Sequence, residues 1–174
     1  MSTNALLAKL FGYQAWANSE FFQKMEGFHC ERHREELNTA LRLMNHNYVV
    51  GQIFAAHLTG KAHGFAADNT PATPALAELR ANVAVLDSWY LAYVETATAQ
   101  MLTEHVPFAF TDGDKGLMSR EEMLTHVVTH GGYHRGEVGR IMRQLGIELP
   151  WDTLAVYLHR REPSRREQLS YIAA

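Results

Sequence analysis

Four stretches of the chain repeat apolar residues every three to four positions, the spacing that forms one face of an α-helix. The first, from about Asn4 to about Met25, aligns Leu6, Leu10, Tyr13, Ala17 and Phe21, and Gly27 closes it. The second, from about Glu36 to Leu58, carries Leu43, His46, Val50, Ile53 and His57 in its stripe and stops at Thr59 and Gly60. For the third, Thr73 and Pro74 supply an N-cap and a first-turn proline, and the stripe runs through Leu76, Leu79, Val83, Leu86, Tyr90, Val94, Ala97 and Met101. The fourth opens on Ser119 and Glu122, spaced as a capping box, and continues to Leu145 before Gly146, with Leu124, Val127, Gly131, His134, Val138, Ile141 and Leu145 on its inner face. Such lengthwise stripes predict an all-α single domain, a four-helix bundle.

The connections add detail. Between the third and fourth helices, Thr111 to Gly116 reads as a turn with room for a short hairpin on either side. A calcium loop is disfavoured there, because its ligands are spread over about twelve residues and end on an acidic one. After Pro150 and Trp151, Leu154, Tyr157 and Leu158 offer a small apolar face for a short C-terminal helical segment over one end of the bundle.

Composition narrows the function classes. A chain of 174 residues with 47% hydrophobic residues suits one domain with a substantial core. Sixteen basic residues against 19 acidic ones leave a net charge of -3, which argues against a nucleic-acid partner. The basic run from His159 to Arg166 is interrupted by Glu162 and reads as a solvated tail. A single cysteine, Cys30, excludes an internal disulfide framework and fits a reducing compartment. With no secretory signal and no long apolar run, the expectation is a cytoplasmic protein without a membrane partner.

Ten histidines are what composition leaves unexplained. His126, His130 and His134 lie four apart, each one turn and about 40° further round the fourth helix. Two imidazoles at i and i+4 can share one metal ion, whereas His126 and His134 stand about 11–12 Å apart along the axis. His134 is at a core position with His130 beside it, so this pair makes the better ligands and His126 falls at the rim. The second helix offers His46 or His57 as a third ligand, and spacing does not choose between them. A lone histidine in an apolar stripe is more often a core residue. Several together each need a partner at about 1–3 kcal/mol per unsatisfied group, and one metal ion satisfies all of them. Gly131 and Gly132, between the pair, disfavour the helix by about 1 kcal/mol each and imply a close approach by a ligand or another backbone.

The stretch from His126 to Glu137, with His130, Tyr133, His134, Arg135 and Gly136 within it, resembles the H-x-x-x-H-H-R-G signature of the DinB (damage-inducible) family. Trp16, Ala17 and Asn18 in the first helix, and Asn45 and His46 in the second, resemble that family's other landmarks. The resemblance implies a four-helix bundle holding a metal by one histidine of the second helix and two of the fourth, hence His46, His130 and His134. Two positions depart from it: Tyr133 stands where the family often has histidine, and Gly51 where an acidic residue is common.

Three histidines leave a coordination position open, as catalytic sites do. The resemblance extends to thiol-dependent S-transferases, so the expected partners are a low-molecular-weight thiol or another small-molecule substrate, in a metal-dependent transferase or hydrolase. Tyr133, Glu137 and Arg135 stand beside the ligands as candidates for positioning or catalysis. The metal expected is a divalent ion, zinc or nickel first, with iron or copper also suited to three imidazoles. The competing readings are a non-catalytic metal-binding protein and a stress-linked scaffold docking through Trp89, Tyr90 and Tyr93. A homodimer is compatible with a bundle of this size.

Overall fold

The computed structural model describes residues 2–29 and 31–167, so Cys30 lies outside the described residues. The four long helices are α1 (Thr3–Met25), α2 (Arg34–Thr59), α3 (Leu76–Thr96) and α5 (Arg120–Gln144). Between the last two come a short helix, α4 (Ala99–Thr103), and an antiparallel hairpin of β1 (His105–Ala109) and β2 (Lys115–Ser119). Two short helices follow, α6 (Leu154–Arg161) and α7 (Ser164–Glu167). The fold is an all-α bundle with a small hairpin. No helix among the described residues is long and apolar enough to cross a membrane.

Local chemistry sets most of the boundaries. Gly60 and Gly146 close α2 and α5 at φ +66° and +72°, the left-handed backbone that glycine adopts without strain. Ser119 opens α5 by accepting from the backbone N–H of Glu122, whose carboxylate accepts from the Ser119 N–H in return. The third helix departs from the sequence reading at both ends. Its N-cap is Ala75, without a side-chain hydrogen bond, and Thr73 and Pro74 remain outside. Its stripe breaks after Thr96, where Ala97 is extended and the Thr98 hydroxyl accepts from the Met101 N–H to start α4. A threonine that can cap a new turn competes with continuing the old one.

The core has two apolar clusters. One gathers Phe11, Phe54, Tyr90, Leu102, Met123 and Leu124; the other gathers Phe22, Met25, Met44, Leu79, Val138 and Met142. Each long helix passes from one cluster to the other through polar residues: Gln14 and Asn18 on α1, Asn45 and His46 on α2, Asp87 on α3, and His130, His134 and Arg135 on α5. The bundle therefore has a polar layer across its middle.

On the α1 side of that layer, Arg135 is fully buried. Its Nε donates to Asp152 Oδ2 at 2.8 Å and its guanidinium to Asn18 Oδ1 at 3.2 Å. Asn18 Nδ2 in turn donates to the Asp87 carboxylate at 2.9 Å. This chain ties the segment before α6 to α5, α1 and α3. Gly131 belongs to the same arrangement, since a Cβ there would come within 3.2 Å of Arg135 and 3.3 Å of Gln14. The close approach that the glycine implied is thus made by these side chains of the polar layer, and an added Cβ at Gly132 would meet only ordinary contacts.

Asp87 yields a pH prediction. Burial pushes its carboxyl up to about 6, against the hydrogen bonds from Asn18 and Gln14 and the nearby Arg135 charge. A carboxyl whose folded value is raised stabilises the fold at low pH and loses that contribution as pH rises through the folded value, here between about 4 and 6. At 1.36 kcal/mol per pKa unit, this amounts to about 3 kcal/mol. Urea unfolding of Asp87→Asn beside the parent should show the variant gaining about 2–3 kcal/mol relative to the parent from pH 4 to pH 7. Metal loss at low pH affects both proteins and cancels in the difference. A pH-independent difference would place the Asp87 titration outside this window.

Candidate metal centre

On the α2 side of the polar layer, α2 presents His46 and α5 presents His130 and His134, one turn apart. One ring nitrogen of each lies within 4.8 Å of those of the others. His46 Nε2 and His130 Nε2 are 3.1 Å apart, and the His134 ring centroid is 4.6 Å from that of His130 and 4.7 Å from that of His46. With metal–nitrogen bonds of about 2.0–2.1 Å, one ion can reach nitrogens grouped this closely.

Two of the three rings are oriented by acceptors. The Nδ1 of His46 lies 2.8 Å from the Asp68 carbonyl oxygen, which can only accept, so Nδ1 carries the proton and Nε2 keeps its lone pair. The Nδ1 of His134 lies 2.5 Å from Glu137 Oε2, and the carboxylate accepts from it in the same way. Acceptors behind histidine ligands orient the rings and raise their basicity. The third ring, His130, is pushed down to about 3 by burial and by its neighbours His134, His46 and His126, and so is neutral at physiological pH. Three imidazoles converging from two helices, two of them oriented by acceptors behind the ring, are a donor set suited to a divalent ion.

The sequence profile of the DinB family matches residues 1–167, nearly the whole chain. The protein belongs to the DinB family. It is also similar to the protein named DinB of Bacillus subtilis (strain 168), with 25% identity over 150 residues, covering 79% of this chain and 85% of that one.

The other candidate residues of this DinB chain fall in three places. Tyr133 is 69% exposed, with its ring edge-on to His134 at 4.9 Å, at the outer side of the triad. Glu137 touches His134 directly. Arg135 has its hydrogen-bond partners in α1 and the segment before α6, none of them in the triad. His126 stacks beside His130 at 5.3 Å but is outside the three-residue group, and His57 lies further along α2 among Phe54, His63 and Phe108. Gly51, where the family often has an acidic residue, is buried against α3. A Cβ there would meet Leu86 at 2.9 Å, and the Gly51 carbonyl accepts from the Tyr90 hydroxyl at 2.6 Å. Tyr90 is wholly buried and stacks on Phe11, which removes it from any docking surface.

Asp68 escaped the sequence reading. Its backbone carbonyl holds His46 Nδ1, with its carboxylate 3.7 Å from the same atom; a carbonyl leaves no mark in a sequence, and nothing local brings Asp68 to a histidine 22 positions away. Glu137 was legible, three residues after His134 and hence on the same helix face.

Glu137→Ala should lower zinc affinity about 10–100-fold, measured by competition with a chromophoric chelator. The metal-free protein should lose no more than about 1 kcal/mol, because a part-exposed ion pair contributes little to folding. Unchanged zinc affinity would mean that the contact with His134 does not assist a ligand.

Proposed function

We propose that this DinB-family protein is a metal-dependent enzyme that acts on a small molecule, most specifically a thiol S-transferase. The observation that carries the proposal is a set of three convergent imidazoles on two helices, beside a cavity of about 260 Å³ lined by two of them, His46 and His130. Three protein ligands leave a position for an exchangeable group, and the cavity supplies room for one. A divalent ion held there would supply Lewis acidity, favouring the thiolate of a low-molecular-weight thiol over the thiol.

The protein's own part is positioning. The Asp68 carbonyl and Glu137 orient His46 and His134, and the ligands stand on two long helices, α2 and α5. In the transfer the thiol gives its proton to solvent, its sulfur bonds to an electrophilic carbon, and the bond from that carbon to the leaving group breaks, the leaving group departing into solvent with the electron pair. In the hydrolytic version of the reading, water takes the place of the thiol.

Cobalt substitution tests this. If the reading is right, adding low-molecular-weight thiols to the cobalt protein shifts its visible absorption and adds a sulfur-to-metal charge-transfer band. A spectrum indifferent to thiols, in a protein that melts far lower without metal, would assign the ion to fastening α2 onto α5 and not to thiol transfer.

A further inference from the structure

The segment joining α2 to α3, Gly60 to Ala75, forms neither helix nor strand, yet it supplies the Asp68 carbonyl that orients His46. A loop carbonyl can hold a ring in one orientation only if the loop itself is held, because loops are the more mobile parts of a fold. Three consecutive residues, Asp68, Asn69 and Thr70, are fastened to α2. Asn69 Nδ2 donates to the Arg42 carbonyl at 3.0 Å, and the Arg42 guanidinium donates to the Thr70 carbonyl. Asn45 makes the other attachments: its Nδ2 donates to Thr70 Oγ1 at 2.6 Å and to Asn69 Oδ1.

Asn45 is buried, 2% exposed, and donor and acceptor roles leave it no alternative. The Arg42 carbonyl can only accept, so Asn69 turns its Nδ2 toward it. The Asn69 Oδ1, which also accepts from the Thr70 N–H at 3.0 Å, is left to face Asn45. The Thr70 hydroxyl gives its one proton to the Ala72 carbonyl at 2.7 Å and so receives from Asn45. Two acceptors side by side need a group with two N–H donors, and a side-chain amide supplies both. Asn45 and His46 are neighbours on α2, about 100° apart around its axis. One grips the loop, and the other ends on the carbonyl that this grip holds in place.

We propose that Asn45 is a positioning residue of the metal centre, acting on the ion through the Asp68–Thr70 segment and His46. The inference rests on the metal centre of the proposed function and not on thiol transfer.

The test uses the full-length protein with two changes. Asn45→Leu keeps the size and removes both donors; Asn69→Ala stands in the loop, outside both apolar clusters. Zinc affinity, by competition with a chromophoric chelator, should fall about tenfold in each, the lower end of the effect of an outer partner, because Asn45 stands one step further back. The double variant should lose little more than either alone, since both changes release the same segment. Combined with Glu137→Ala, which acts on His134, the losses should multiply. In the metal-free protein, the Nδ1–H proton resonance of His46, assigned by its absence from His46→Ala, should be seen in the parent and broadened by exchange in both variants. A purely structural contribution to the bundle would lower Tm and leave that proton and the zinc affinity in place. Zinc affinity within threefold of the parent in both variants, losses that multiply between Asn45→Leu and Asn69→Ala, or an unchanged Nδ1–H resonance would each overturn the proposal. If Asn45→Leu does not fold, Asn69→Ala decides by the same limits. A parent that binds no zinc would reject the metal centre, and the resonance, read without metal, would still decide whether Asn45 holds His46.

Discussion

His46→Ala and His134→Ala should each abolish stoichiometric metal binding, with the parent retaining about one equivalent of divalent ion after desalting and the variants none. The three ring nitrogens lie within 4.8 Å of one another, so each removal takes away a third of the donor set. The loss should also appear as stability. A ligand that binds only the folded state stabilises it by about 4 kcal/mol when present at a thousand times its dissociation constant. For a chain of this size that corresponds to a fall of about 8–16 °C in Tm, at 2–4 °C per kcal/mol. Added zinc should therefore raise the Tm of the parent and leave both variants unmoved. His57→Ala is the matched control, being a histidine of the same helix outside the triad, and should keep its metal. Full metal content in either triad variant would refute the site; metal lost from the His57 variant as well would point to a different ligand set.

The second large effect is expected at Arg135. Its side chain is wholly buried and paired with Asp152 and Asn18, and its cation lies 5.6 Å from the centre of the Tyr13 ring. Arg135→Met keeps most of the volume but leaves Asp152 with a single strong partner, the Tyr13 hydroxyl at 2.5 Å. It also exposes Asp87 to its unfavourable surroundings without a nearby cation. Breaking a buried charge pair by removing one partner is destabilising by about 3–5 kcal/mol, a large part of the stability of an ordinary domain. Arg135→Lys should recover little, since an ammonium cannot span Asp152 and Asn18 as the planar fork does. Urea denaturation of the metal-free proteins measures this directly. A loss below about 1 kcal/mol for Arg135→Met would mean that the buried chain of hydrogen bonds contributes little to folding.

These two predictions concern opposite faces of one helix. His130 and His134 face α2 while Arg135 and Gly131 face α1, so α5 carries the metal-ligating group on one side and the fastening of the bundle on the other. The adjacency of His134 and Arg135 in the DinB signature thus joins two separate physical tasks. Sequence reading grouped Arg135 with the ligands because it is next to one; one residue is about 100° around a helix, which is enough to put it on another face.

The four long helices and the hairpin were legible in the sequence because their causes are local. An apolar residue every three to four positions, a serine and glutamate three apart, and a glycine past the last turn act within a few residues of where they stand. The i, i+4 spacing of His130 and His134 is local too, and so is the reach of Glu137 to His134. The break at Thr98 was not legible, since an unbroken apolar stripe outweighs one threonine until the hydroxyl is seen to cap. Tertiary structure alone placed His46 against His130, set the Asp68 carbonyl behind His46, buried Arg135 on Asp152, and tied Asn45 to Asn69 and Thr70. Each of these joins residues between 17 and 84 positions apart, or uses a backbone atom that every residue carries. Periodicity says which face of a helix is inward, but rotation and height against the neighbouring helix are decided only when the two apolar clusters pack, and these bring the polar layer, with its histidines, to one level.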